Sequence, residues 1–171
     1  MATGNKVALS VDFSPVKIGL ALVFLMILMN IFLGILFGVH EDYFQNYIHA
    51  GIAAHPSLFT DPAKDQDIIW RWVERAHFHA GGIAAFVLGM ITITALTDMS
   101  NRRKQVTSIL MGLSFFYPMA WFAMFFYAPQ IGRAAAHHAL LVEICVKIGV
   151  GGLGLGMLSL LLWLFLPGKK S

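Results

Sequence analysis

Seven histidines are the residues of this chain best suited to chemistry: His40, His49, His55, His77, His79, His137 and His138. Imidazole is the commonest protein ligand for transition metals, and it changes charge near neutral pH. His77 and His79 form a His-x-His pair at the start of one apolar run. His137 and His138 stand together at the start of another, and His40 closes a third. An imidazole inside a membrane is costly unless it faces a partner or a ligand. A single cysteine, Cys145, excludes an intramolecular disulfide, a cysteine-ligated zinc site, an iron–sulfur cluster and a Cys-x-x-Cys-His haem attachment. The sequence holds no nucleophile–base arrangement and no phosphate-binding loop, which sets hydrolase and nucleotide chemistry aside.

The elements that must position these histidines are membrane spans. Of 171 residues, 58% are apolar and 12% are charged, against about 25% charged in a globular chain. So few charges cannot coat a water-soluble particle, and lipid is the expected solvent. A bilayer crossing takes about 20 mainly apolar residues. Four segments qualify, at residues 18–39, 76–97, 106–127 and 140–165, within a single transmembrane domain of residues 1–171. Pro118 should kink the third, and Glu143 and Lys147 lie in the fourth. The polar N-terminal stretch and the long run after it predict a retained helix rather than a cleaved signal peptide.

Basic residues orient the spans. Lys6 and Lys17, then Arg102, Arg103 and Lys104, then Lys169 and Lys170 all fall on one side. The other side receives residues 40–75, where three basic residues stand against six acidic ones. The expectation is an all-α integral membrane four-helix bundle, N-in and C-in, in a bacterial inner membrane, with the histidine cluster on the outer, periplasmic side. The outer segment is partly helical: residues 41–54 have amphipathic spacing, His55-Pro56 ends that stretch, and Asp61-Pro62 marks a turn. The net charge of +3 is too small and scattered for nucleic-acid binding.

Two helix faces give the histidines a context. His77, Gly81, Ala85 and Gly89 recur every four residues. His138, Cys145, Gly149, Gly152 and Gly156 fall within about 40° of His138 on an ideal helix. Small stripes let helices approach closely, and they equally let a flat macrocycle lie against the backbone. His77 and His79 are about 200° apart around a helix, so one centre takes only one of them. The same holds for His137 and His138. Arg71, Arg75 and Arg133 lie at the same level, where they could pair with haem propionates. Plain alternatives stand beside each feature. Interfacial histidines cap helices, glycine stripes such as Gly34 and Gly38 pack helices, Glu143 and Lys147 neutralise each other, and Tyr117 and Trp121 anchor at the membrane interface.

The layout of four short helices with histidines on two of them resembles the membrane cytochromes b that exchange electrons with quinones. The phrase Arg75-Ala76-His77-Phe78-His79-Ala80-Gly81-Gly82 is similar to the haem-ligating second helix of haem–copper oxidases. The resemblance implies a bis-histidine haem b near the outer face in an electron-transfer protein or respiratory-complex subunit. His77 and His138 would be axial ligands, His79 and His137 alternates, and quinol or an external electron carrier the partner. The chain departs from the family in having no histidine in its inner half, so two stacked haems are not expected. Two other readings remain open. A copper, zinc or non-haem iron site would draw on His77, His79, His137, His138 and His40 with nearby carboxylates. A cofactor-free accessory subunit of a membrane complex, or a homo-oligomer, would use the glycine stripes for docking.

Overall fold

A computed structural model describes residues 11–166, all of whose regular structure is helical. Six α-helices follow in chain order: α1 (Lys17–Ala54), α2 (Pro62–Leu96), α3 (Asn101–Gly112), α4 (Phe116–Ile131), α5 (Arg133–His137) and α6 (Leu140–Phe165). Short 3-10 turns at Ser14–Val16, Pro56–Leu58 and Leu113–Phe115 join or precede them. Four helical stretches are long and apolar enough to cross a membrane, which suggests a membrane protein. Their outward faces fit that solvent: Phe24, Leu28, Ile31, Phe32 and Ile35 of α1 and Leu155, Leu158 and Leu162 of α6 are exposed.

The first two helices overshoot the length a bilayer requires. At 38 residues, α1 is about 57 Å long, nearly twice the thickness of a hydrocarbon core. Residues 41–54 therefore continue the first span, with a break at His40, whose φ of −139° and ψ of 37° leave the helical region. Beyond the break the helix buries Ile48 and Ile52, and Gly51 meets Pro129 of α4 so closely that a side chain there would have no space. His55, ahead of Pro56, ends α1 as the pre-proline restriction expects. Asp61 then caps α2, its carboxylate accepting the Lys64 amide at 3.2 Å with Pro62 in the first turn. Most of the outer segment is thus helix, and only residues 55–61 interrupt it.

The third span is broken in the middle. Proline cannot supply the amide that would bond the carbonyl four residues earlier, and for Pro118 that carbonyl belongs to Ser114. The chain answers with the 3-10 turn Leu113–Phe115 one turn ahead of the ring. Ser114 is fully buried there, and its hydroxyl has no hydrogen-bond partner.

Close backbone approach at glycines sets which helices touch. Gly19 of α1 lies against the Ser108 backbone of α3. On α6, Gly149 faces Tyr117, Gly152 faces Leu110 and Leu113, and Gly156 faces Met111 and Thr107. These contacts run α1 parallel to the third span and α6 antiparallel to it. A Thr107–Ser159 hydroxyl pair at 2.8 Å ties α3 to α6 in the buried layer. α2 packs on α1 and α4, whereas α6 packs on α3, α4 and the turn between them. The third span consequently stands between α2 and α6.

Candidate functional site

His40 and His49 lie on α1 and His55 ends it, His77 and His79 lie midway along α2, His137 ends α5 and His138 caps it. They do not converge. Among the described residues no group of three or more His, Cys, Asp or Glu side chains is placed to hold a metal ion.

His77 is turned towards α1. Its Nδ1 lies 2.9 Å from the backbone carbonyl oxygen of Asn30. A carbonyl only accepts, so Nδ1 carries a proton, and in the neutral ring Nε2 keeps the lone pair. The ring lies over Gly34, where a Cβ would come within 3.0 Å of Cε1. Phe37 meets the ring edge-to-face at 5.5 Å. One turn further along α2, Gly81 leaves space for the Asn30 side chain. Asn30 and Gly34 therefore form the floor under His77. Gly34, expected to be a packing glycine away from any histidine, is the residue His77 rests on, and the histidine comes from another helix. Only Gly81 of the expected stripe is used this way: Ala85 and Gly89 are exposed, and nothing lies within 4 Å of a Cβ built at Gly89.

His79 faces the opposite way, as its separation from His77 around the helix requires. It stacks on Tyr117 of α4 at 5.1 Å and meets Trp121 edge-on at 5.8 Å. The guanidinium of Arg75 sits 4.9 Å over the Trp121 ring. Tyr117 and Trp121 thus form one aromatic cluster with His79 and Arg75.

His137 and His138 do not begin the fourth span. His137 ends α5, His138 caps it, and Ala139 is extended before α6 starts at Leu140. That extended residue resets the helical phase, so His138 does not head the stripe of Cys145, Gly149, Gly152 and Gly156. Instead its Nδ1 lies 3.7 Å from Glu143, which also pairs with Lys147 at 3.1 Å. The self-neutralising pair expected for Glu143 and Lys147 is present, with His138 as a third member. The two rings of His137 and His138 are exposed and 5.2 Å apart. The α6 stripe is occupied throughout by Tyr117, Leu113 and Met111, so no macrocycle fits there.

The remaining residues are spoken for locally. Arg71 pairs with Asp67 at 2.8 Å on the surface, and Arg133 pairs with Asp65 at 2.6 Å. The Asp65 side chain is 5% exposed against 53% for Asp67, so only the first is taken out of water. His40 stacks on Tyr43 at 4.8 Å, and His55 Nδ1 bonds the Gly51 carbonyl at 3.0 Å. Sequence reasoning passed over Asn30 and Asp65. A signal existed for Asn30, the one strongly polar residue in an apolar span, since such residues face partners. Asp65 carried none, being one acid among six in its segment. No family model matches this chain, and no significant match exists among curated proteins or solved structures.

Proposed function

We propose that this chain is a membrane haem-binding electron-transfer protein that works as a subunit of a larger assembly, with His77 as an axial ligand of a b-type haem. The observation that carries the reading is the bond from His77 Nδ1 to the Asn30 carbonyl. Metal-ligating histidines almost always donate their other ring nitrogen to a carbonyl or carboxylate, which fixes the tautomer and raises the basicity of the free nitrogen. His77 meets that requirement, and the α1–α2 surface beside it is smooth, with open space at Gly38 and Gly82. When bound, the haem supplies one-electron redox chemistry. The chain supplies the ligand, its orientation and a low-dielectric flank.

α2 packs on α4 and α4 on α6, so in this reading a second ligand besides His77 would come from another copy or another subunit rather than from His138 of the same chain. The orientation that suits this reading is N-in and C-in in a bacterial inner membrane, with the histidine-bearing end outside and open to a quinol or an external carrier. The test is a reduced-minus-oxidised absorption spectrum of the detergent-purified protein with iron analysis. Sharp Soret and alpha bands with stoichiometric iron support the reading, and absent bands in protein expressed with ample haem overturn it.

A further inference from the structure

The opposite end of the helices, away from the histidines, holds an open cavity of about 250 Å³. Val11, Asp12 and Pro15 form one wall, the α2 residues Ala95 and Leu96 a second, and Asn101 and Lys104 of α3 the third. We propose that this cavity binds the headgroup of an aminophospholipid, a primary ammonium joined to a phosphate diester.

The cavity sets acceptors beside donors. The acceptors are the Asp12 carboxylate and the C-terminal end of α2, the negative end of that helix. Asp12 accepts the Ser14 amide at 2.8 Å, and bonds from Ser14, with the nearby Lys104 charge, hold its carboxyl below the usual carboxylate range. One carboxylate can accept several further bonds. Next to them, the Lys104 ammonium donates to the Ala95 carbonyl at 2.7 Å and keeps two more donors. Among the described residues the first turn of α3 has no side-chain cap, and its leading amides point outward with the positive end of the helix.

This pairing selects among headgroups. A purely anionic group would meet Asp12. A quaternary ammonium has no hydrogen to give Asp12 or the α2 carbonyls. A primary ammonium with a phosphate satisfies both sides. Level supports a lipid rather than a free solute. Leu96, 58% exposed, continues the cavity wall onto an apolar surface. Trp163 stands at the same end, its indole donating to Asp98 at 2.9 Å and its face under Arg103 at 4.6 Å, which is an interfacial tryptophan's arrangement.

The experiment measures the thermal midpoint of the full chain in detergent against short-chain phosphatidylethanolamine, phosphatidylcholine and phosphatidylglycerol of equal acyl length, and against free O-phosphoethanolamine. The ethanolamine lipid is expected to raise the midpoint most. Asp12→Asn keeps an acceptor for the Ser14 amide and is expected to require about tenfold more lipid for the same midpoint rise, the effect of one charge-assisted hydrogen bond on affinity. Lys104→Gln removes the other side, but it also uncaps α2, so Asp12→Asn is the deciding variant. Equal responses to the ethanolamine and choline lipids, a larger response to the glycerol lipid, or an unchanged response in Asp12→Asn would each overturn the proposal. Binding of free O-phosphoethanolamine as tight as that of the lipid would overturn the lipid source.

Discussion

The imidazole of His77 on α2 and the main-chain carbonyl of Asn30 on α1 are joined by a 2.9 Å hydrogen bond that crosses a helix–helix seam. The two residues are 47 positions apart, and the bond needs Gly34 beneath the ring and Gly81 beneath the Asn30 side chain. It fixes both the rotamer and the tautomer of the histidine.

His77→Ala is therefore expected to abolish haem absorption, whereas His55→Ala, whose ring bonds only its own helix at Gly51, leaves it intact. Gly34→Val should act like His77→Ala by pushing the ring off its floor. The Soret and alpha bands of the three purified variants decide this, and equal spectra in all three would remove His77 from the assignment.

On α6 the two classes of glycine separate cleanly. A Cβ at Gly149 would lie 2.7 Å from the Tyr117 amide nitrogen, while nothing lies within 4 Å of one at Gly151 or Gly154. Gly149→Ala is expected to cost about 2 kcal/mol through overpacking. Gly151→Ala is expected to be neutral or slightly stabilising, because alanine favours helix. Unfolding in detergent, followed by circular dichroism, measures the difference.

The fourth span at residues 140–165, the stop at His55-Pro56 and the Glu143–Lys147 pair were all legible, because each depends on local hydrophobicity, proline geometry or helical spacing. The break from Pro118 was legible too, although it lies a turn earlier, where the 3-10 turn Leu113–Phe115 replaces regular α-helix. Residue spacing could not tell which helices are neighbours. Spacing alone set His77 and His138 on facing helices, whereas long-range glycine contacts place the third span between α2 and α6. Nor could it show that Ala139 is extended, which cut His138 off from the face its number assigned it.

Arg133 and Asp65 tie α5 to the start of α2. Removing the arginine leaves a nearly buried carboxylate unpaired, so Arg133→Ala is expected to cost about 3 kcal/mol. Arg71→Ala breaks only an exposed i, i+4 pair and should cost about 0.3 kcal/mol. Comparable losses in the two variants would show that Asp65 stays hydrated.

Ser114→Ala is a truncation expected to stabilise. It removes a buried hydroxyl that bonds nothing, and relief of its desolvation is worth about 1 kcal/mol. Chemical denaturation in mixed micelles gives the sign, and a loss of stability would mean the hydroxyl has a partner in the folded protein.

Asp12 sets a pH dependence at the other end. Bonds from Ser14 lower its carboxyl in the folded chain, so its contribution is complete above the unfolded carboxylate value and disappears as pH falls through the lowered one. The midpoint gap between the native chain and Asp12→Asn should therefore be widest near neutrality and close in acid. A gap that stays constant with pH would show that the charge contributes nothing.

The way α6 is attached bears on how the chain is made. Its buried face (Val142, Cys145, Gly149, Gly152, Gly156 and Leu160) rests on the third span, and the first three spans already touch one another. A ribosome delivers those three first, so a self-contained trio can form before the last helix leaves the exit tunnel. The final helix then docks into a finished groove. During biogenesis that groove is an apolar surface waiting for α6, and a second nascent chain nearby could fill it with its own last helix.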